Sequence, residues 1–151
     1  MKPASLAASG LGVGYVPWAP GTFGSVLGVV VGCVLLQFGH VALFGGVLVA
    51  SVVGLIAIPR TGTAALDPGW IVIDEVAGQM VAMLGLPFLT GSGVVLAFLL
   101  FRLFDIRKPW PISLADARAD TWGIMADDWI AGLFVVAILV VLHQVWPGTG
   151  L

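Results

Sequence analysis

Charge is what this sequence has least of. Asp, Glu, Lys and Arg together make up 9% of 151 residues, against about 25% in a soluble globular domain. Six Lys/Arg stand against eight Asp/Glu, a net charge of -2, so there is no basic face for a nucleic acid. Cysteine occurs once, as Cys33 inside an apolar run. That excludes an internal disulfide, and with no Cys-x-x-Cys or Cys/His spacing it excludes zinc and iron–sulfur sites of the usual patterns. His40 and His143 have no Cys or Asp companion at ligand spacing. No Gly-Lys-Ser/Thr follows the glycine-rich segments, so there is no P-loop. The N-terminus offers Lys2 and a weak apolar stretch at Leu6–Ala8, too little for a secretory signal peptide.

What the chain does have is apolar length. Hydrophobic residues make up 60% of it, and the mean hydropathy is +1.12. A chain this poor in charge cannot cover a water-facing surface, and the class that fits is an all-α polytopic membrane helix bundle. Residues 1–151 are enough for one such domain. Met1–Thr22 is rich in glycine and proline and has no helical periodicity. Five apolar spans follow, near Phe23–Phe38, Val41–Ile58, Ile71–Leu86, Val94–Phe104 (or from Phe88) and Trp129–Val145. Several are shorter than the about 20 residues a bilayer requires, so polar helix ends have to add length or some segments are re-entrant. In the first span Gly24, Gly28 and Gly32 recur every fourth residue. Such a stripe permits close helix packing, within the chain or between two copies.

Five spans put Lys2, Arg60, Arg102, Arg107, Lys108 and Arg118 on one side and no Lys or Arg on the other. By the positive-inside rule the charged side is cytoplasmic, with the N-terminus inside and the C-terminus outside. The acidic residues Asp67, Asp74, Glu75, Asp105, Asp116, Asp120, Asp127 and Asp128 follow the same split. So do Trp18, Trp70, Trp110, Trp122 and Trp129, which read as ordinary interfacial tryptophans, while Trp146 falls opposite.

An ionisable group inside a span costs a few kcal/mol unless it is paired or hydrated. Three helix ends nevertheless deliver Asp74, Glu75, Asp105, Asp127 and Asp128 to one interface. As a set they exceed what caps and topology signals require. Converging carboxylates are hard oxygen ligands that suit Mg²⁺ or Mn²⁺. Arg102, Arg107 and Lys108 lie beside Asp105 and suit a phosphate. Upstream, Ala19-Pro20-Gly21-Thr22-Phe23-Gly24-Ser25 leads into the first span. Its glycines allow close approach of an anion, Thr22 and Ser25 add hydroxyls, and the same segment also reads as a plain helix cap. Cation ligands beside phosphate ligands, with no Cys or His nucleophile, point to phosphoryl chemistry on a lipid headgroup, through an activated water or an Asp nucleophile.

Four ordered motifs resemble those of the phosphatidylglycerophosphatase A family. They are Gly12-x-Gly14-Tyr15-x-Pro17-x-Ala19-Pro20-Gly21-Thr22-x-Gly24-Ser25, Ile71-Val72-Ile73-Asp74-Glu75-Val76-Ala77-Gly78, Phe101-Arg102-x-Phe104-Asp105-Ile106-x-Lys108-Pro109-Trp110-Pro111-Ile112, and Gly123-Ile124-Met125-x-Asp127-Asp128-x-x-Ala131-Gly132. The resemblance implies a Mg²⁺-dependent phosphatase of the bacterial inner membrane. Such an enzyme converts phosphatidylglycerophosphate to phosphatidylglycerol and inorganic phosphate. It implies Asp74, Glu75, Asp105, Asp127 and Asp128 as catalytic and metal-binding residues, and Arg102 and Lys108 as basic site residues. With Thr22 and Ser25 those two would hold the phosphomonoester. The chain departs from the pattern in a short segment before Gly12 and in Trp70, where a polar residue is common. Neither touches an implied ligand.

The rival readings are a phosphatase for other lipid phosphates, a lipid phosphotransferase, a small transporter and a non-catalytic scaffold packed through Gly24, Gly28 and Gly32. The paired-aspartate motifs of the phosphotransferase are missing. A transporter favours charges near the midplane, whereas these cluster at one end.

Overall fold

A computed structural model describes residues 2–63 and 68–147. Asp67, counted above among the acidic residues, lies outside the described residues, as do the last residues of the tail. The described residues form helices α1 (Pro3–Ala8), α2 (Pro20–Leu36), α3 (His40–Thr61), α4 (Ile73–Met83), α5 (Gly91–Arg107), α6 (Ile112–Asp116) and α7 (Thr121–Val145), with a short 3₁₀ turn at Val13–Tyr15. The expected all-α bundle is present.

Local chemistry explains where the helices start and stop. Proline at the first helical position gives up an N–H that would have no partner there, so α2 begins at Pro20 rather than Phe23. Gly39, at φ 100°, turns the chain directly from α2 into α3. Helix α3 runs past Ile58 through Pro59 into its last turn and ends on Gly62 at φ 78°. Thr90 and Asp120 cap α5 and α7 by accepting from the amides of Gly93 (3.1 Å) and Gly123 (2.8 Å). Helix α7 therefore starts at Thr121, well before the apolar run at Trp129, and polar residues supply the length missing from that run.

Helix α4 is the axis of the bundle. It packs against α2, α3, α5 and α7, and every residue in it except Glu75 is buried. The expected third span, Ile71–Leu86, is helical only over these 11 residues. That is about 16 Å, half of a roughly 30 Å hydrocarbon core. Among the described residues two helices, α3 with 22 residues and α7 with 25, are long and apolar enough to cross a membrane, and α2 has 17. Outside this core the bundle is apolar as well: Val30, Val34, Phe44, Val49, Leu99 and Val140 are all exposed. A greasy exterior around a buried centre is the surface a membrane-associated protein presents to lipid.

The glycine stripe of α2 meets α4 of the same chain. A methyl at Gly24 would come within 2.7 Å of Val72 Cβ, one at Gly28 within 2.9 Å of Gln79 Cβ, and one at Gly32 within 2.6 Å of Met83 Sδ. All three glycines are buried. Of the two partners the sequence leaves open, the face of Gly24, Gly28 and Gly32 takes the one within the chain.

Contacts at the helix ends show how the elements alternate. At one end Arg102 of α5 reaches Ser25 of α2, and Lys108 reaches Asp127 of α7. At the other, His40 Nε2 lies 2.8 Å from the Leu86 carbonyl, and the Phe88 and His143 rings meet edge to face. The starts of α2, α4 and α7 and the end of α5 thus share one pole.

Candidate active site

The first turn of α4 carries Asp74 and Glu75, and the second turn of α7 carries Asp127 and Asp128. The helices bring these turns together because glycines face each other across the contact. A methyl at Gly78 would stand 2.7 Å from the Asp128 carbonyl oxygen, and one at Gly132 2.5 Å from the Gly78 carbonyl oxygen. The N-terminal segment folds onto the second motif and its approach: Val72 donates to the Ala8 carbonyl at 3.0 Å, and Tyr15 stacks on Trp70 at 5.5 Å.

Asp74, Glu75 and Asp128 each offer an oxygen within 4.8 Å of the other two. Asp74 and Asp128 are 8% and 3% exposed. Asp74 Oδ1, Glu75 Oε2 and Asp128 Oδ1 are buried and accept no hydrogen bond from the described residues. Buried acceptors without donors are costly, and three on one point ask for a cation. Oxygens on opposite sides of an octahedral Mg²⁺ lie about 4.2 Å apart, so this cluster has the reach and the hard donors for such an ion. Sited at the start of α4, the two adjacent carboxylates also face the positive end of that helix.

The other expected residues surround this trio without joining it. Asp105, on the last turns of α5, is ion-paired with Arg102 and lies close enough to Asp128 and Glu75 to interact with both. Arg102 Nη1 also donates to Ser25 Oγ at 3.2 Å, and Ser25 passes its own hydrogen to the Gly21 carbonyl at 3.0 Å. Thr22 is half-buried on the first turn of α2. Asp127 is held by Lys108 Nζ at 2.7 Å, and its Oδ1 accepts from the Asp128 amide at 3.0 Å. Lys108 also pairs with Asp116. Burial lowers the affinity of Lys108 for its proton, but its two carboxylate partners more than reverse this and hold the ammonium above the usual lysine range. Arg102 and Lys108 are thus both engaged with carboxylates in this structure. Farther out, the Arg118 guanidinium and the Gly123 amide hold the exposed Asp120 carboxyl below its usual range.

Two contributors escape the sequence argument, and a third, Gly21, enters it only as room for an anion. Asp116 follows Lys108 through a proline turn and carries no periodic signal. Gln79 is fully buried, and neither amide atom has a partner among the described residues. It lies four residues after Glu75 on the same helix face, and a lone amide in an apolar run was the available cue. Gly21 meets the Glu75 carboxylate so closely that a methyl there would collide with it.

Fold and site together define a membrane-associated helical bundle with a buried acidic cluster at one pole that could hold a cation, flanked by cationic side chains. The profile of the family Phosphatidylglycerophosphatase A matches residues 6–143. The chain is similar to Phosphatidylglycerophosphatase A of Haemophilus influenzae, 36% identical over 151 residues, covering 97% of this chain and 91% of that protein. It is also similar to Phosphatidylglycerophosphatase A of Escherichia coli, 34% identical over 150 residues, covering 97% of this chain and 87% of that protein. No solved structure matches. The chain belongs to the phosphatidylglycerophosphatase A family, a family of phosphatases.

Proposed function

We propose that this protein hydrolyses the terminal phosphomonoester of phosphatidylglycerophosphate, yielding phosphatidylglycerol and inorganic phosphate, with Mg²⁺ as cofactor. The observation that carries the reading is the convergence of Asp74, Glu75 and Asp128 with unpartnered buried oxygens, in a chain of this family. These three carboxylates are the inner metal ligands, and Asp105 and Asp127 complete the acidic set. Bound Mg²⁺ would neutralise charge on the phosphoryl oxygens.

The remaining chemistry belongs to side chains of the chain. Arg102 exchanges its pairing with Asp105 for the substrate phosphate, and Lys108 does the same from the Asp127 side. Ser25 fixes the guanidinium, and Thr22 adds a hydroxyl at the start of α2. A carboxylate of the set takes a proton from the attacking water as the new P–O bond forms in line with the breaking ester bond. The departing glycerol oxygen takes a proton from solvent, and the protonated carboxylate releases its own to solvent, so the proton count balances. Residues 1–151 act as one catalytic unit. It sits in the bacterial inner membrane with five membrane segments, the site and N-terminus cytoplasmic and the C-terminus outside.

The test is phosphate release from phosphatidylglycerophosphate by purified protein in detergent, with Mg²⁺ or with EDTA. Release is expected with Mg²⁺ alone, and Asp105→Asn is expected to lower it at least about 100-fold without unfolding the protein. No release from folded, Mg²⁺-supplied protein would sink the reading, and full activity of the variant would remove Asp105 from the site.

A further inference from the structure

The seam between α2 and α5 begins at the site and is loosely filled. The two helices touch over a small area compared with α2 on α4, and the Arg102–Ser25 hydrogen bond closes the seam at its polar end. Immediately beneath, Val26, Val29, Val94, Val95 and Phe98 line a cavity of about 220 Å³. Val26 follows Ser25 in sequence, and Phe98 stands one turn before Arg102. A second cavity of about 370 Å³ continues toward the far pole between Cys33 and the start of α5, and it shares Val94 and Val95 with the first. The two form one apolar crease running along the helix axes.

We propose that this crease seats an acyl chain of the lipid phosphate whose headgroup occupies the acidic pole. The inference rests on the proposed phosphatase reading and adds to it a chain-binding subsite. Length permits it: α5 rises about 18 Å from Arg102 to Thr90, enough to flank a chain that reaches about 15 Å to the bilayer midplane. Charge supports it too, because a guanidinium stands at one end of an otherwise apolar channel, the pattern of a lipid with a single anionic head. The larger groove on the opposite side of α2, about 470 Å³ and bounded by Val31, Val49, Ile73 and Met80 among others, is lined by apolar residues as the crease is. The crease differs in its head, where Arg102 hydrogen-bonds Ser25 next to Val26.

The test compares dipalmitoyl with dihexanoyl phosphatidylglycerophosphate. Wild type should prefer the long chains in kcat/KM. Val95→Trp fills the crease from a position that is 57% exposed, so the bundle core is not disturbed. It should cut that preference about ten-fold, the worth of roughly two buried methylenes. Val49→Trp in the other groove should leave the preference intact. As a readout independent of turnover, Cys33 lines the crease and is the chain's one thiol. The dipalmitoyl lipid should slow its alkylation by an apolar maleimide several-fold, and the dihexanoyl lipid should not. No chain preference in wild type, an equal effect of both tryptophans, or alkylation indifferent to lipid would each overturn the crease. Protection of Cys33 by a protein that releases no phosphate would keep the crease and sink the phosphatase reading. Phosphate release with unprotected Cys33 would do the reverse.

Discussion

Gly21 shows how little room the site leaves around its carboxylates. A methyl on this residue would collide with Glu75 Oε1 and come within 3.5 Å of Arg102 Nη1. The end of the Glu75 side chain can move aside, so Gly21→Ala should fold normally while displacing the carboxylate from Asp74 and Asp128. A shift near 1 Å in a reacting constellation costs about 100-fold in rate. A loss of that order with an unchanged melting temperature in detergent is expected. Retained activity would mean that Glu75 need not stay where the glycine lets it sit. The residue types of the trio are legible without coordinates, since Asp and Glu at the start of apolar helices have few uses. Their division of labour is not. Asp127 and Asp128 are neighbours in sequence with equivalent chemistry, yet Lys108 takes one and the open cluster takes the other. That choice depends on Lys108 sitting at φ 43° beyond the end of α5, a left-handed cap more usual for glycine.

At the scale of elements, the function depends on one short helix. Helix α4 is shielded by four others, and the bundle can close on it because glycines replace side chains at the contacts. A methyl at Gly78 would press on the Asp128 backbone and on Phe101, at 2.7 and 2.8 Å. Backbone cannot give way as a side chain end can. Gly78→Ala should therefore part α4 from α7, at a cost of about 1–3 kcal/mol, and separate Asp74 from Asp128. Thermal stability and activity should fall together. Gly45→Ala, where the added methyl meets nothing within 4 Å, should lower neither. If Gly78→Ala melts like wild type, the close approach of the helices is not what assembles the trio. Apolar runs alone place the helices but miss their lengths. The caps at Thr90 and Asp120 and the proline start of α2 carry helix beyond the apolar boundaries, while α4 stops at Met83 inside an apolar run that continues to Leu86.

For the whole molecule, alternation of helix direction gathers the polar ends at one pole. In right-side-out membranes of the producing bacterium, with Cys33 replaced by Ser, a cysteine at Ser92 should react with an impermeant thiol reagent. One at Ser113 should react only after permeabilisation. Labelling of both from the same side would end the alternating arrangement. Much of this follows from sequence alone. Scarce charge and long apolar runs dictate helices with lipid-facing sides, because in lipid a backbone must satisfy its own hydrogen bonds. The one-sided placement of Lys and Arg sets the expectation of which ends belong together, and four motifs carry the family. Tertiary structure decided the rest. Gly24, Gly28 and Gly32 would serve a partner in the same chain or in another copy equally well, and only the folded bundle assigns them to α4. Five acidic residues read as one group in sequence. Packing separates them into three with open oxygens and two held by cations, because distance between side chains on different helices is set by how closely the backbones meet, a quantity no single helix contains.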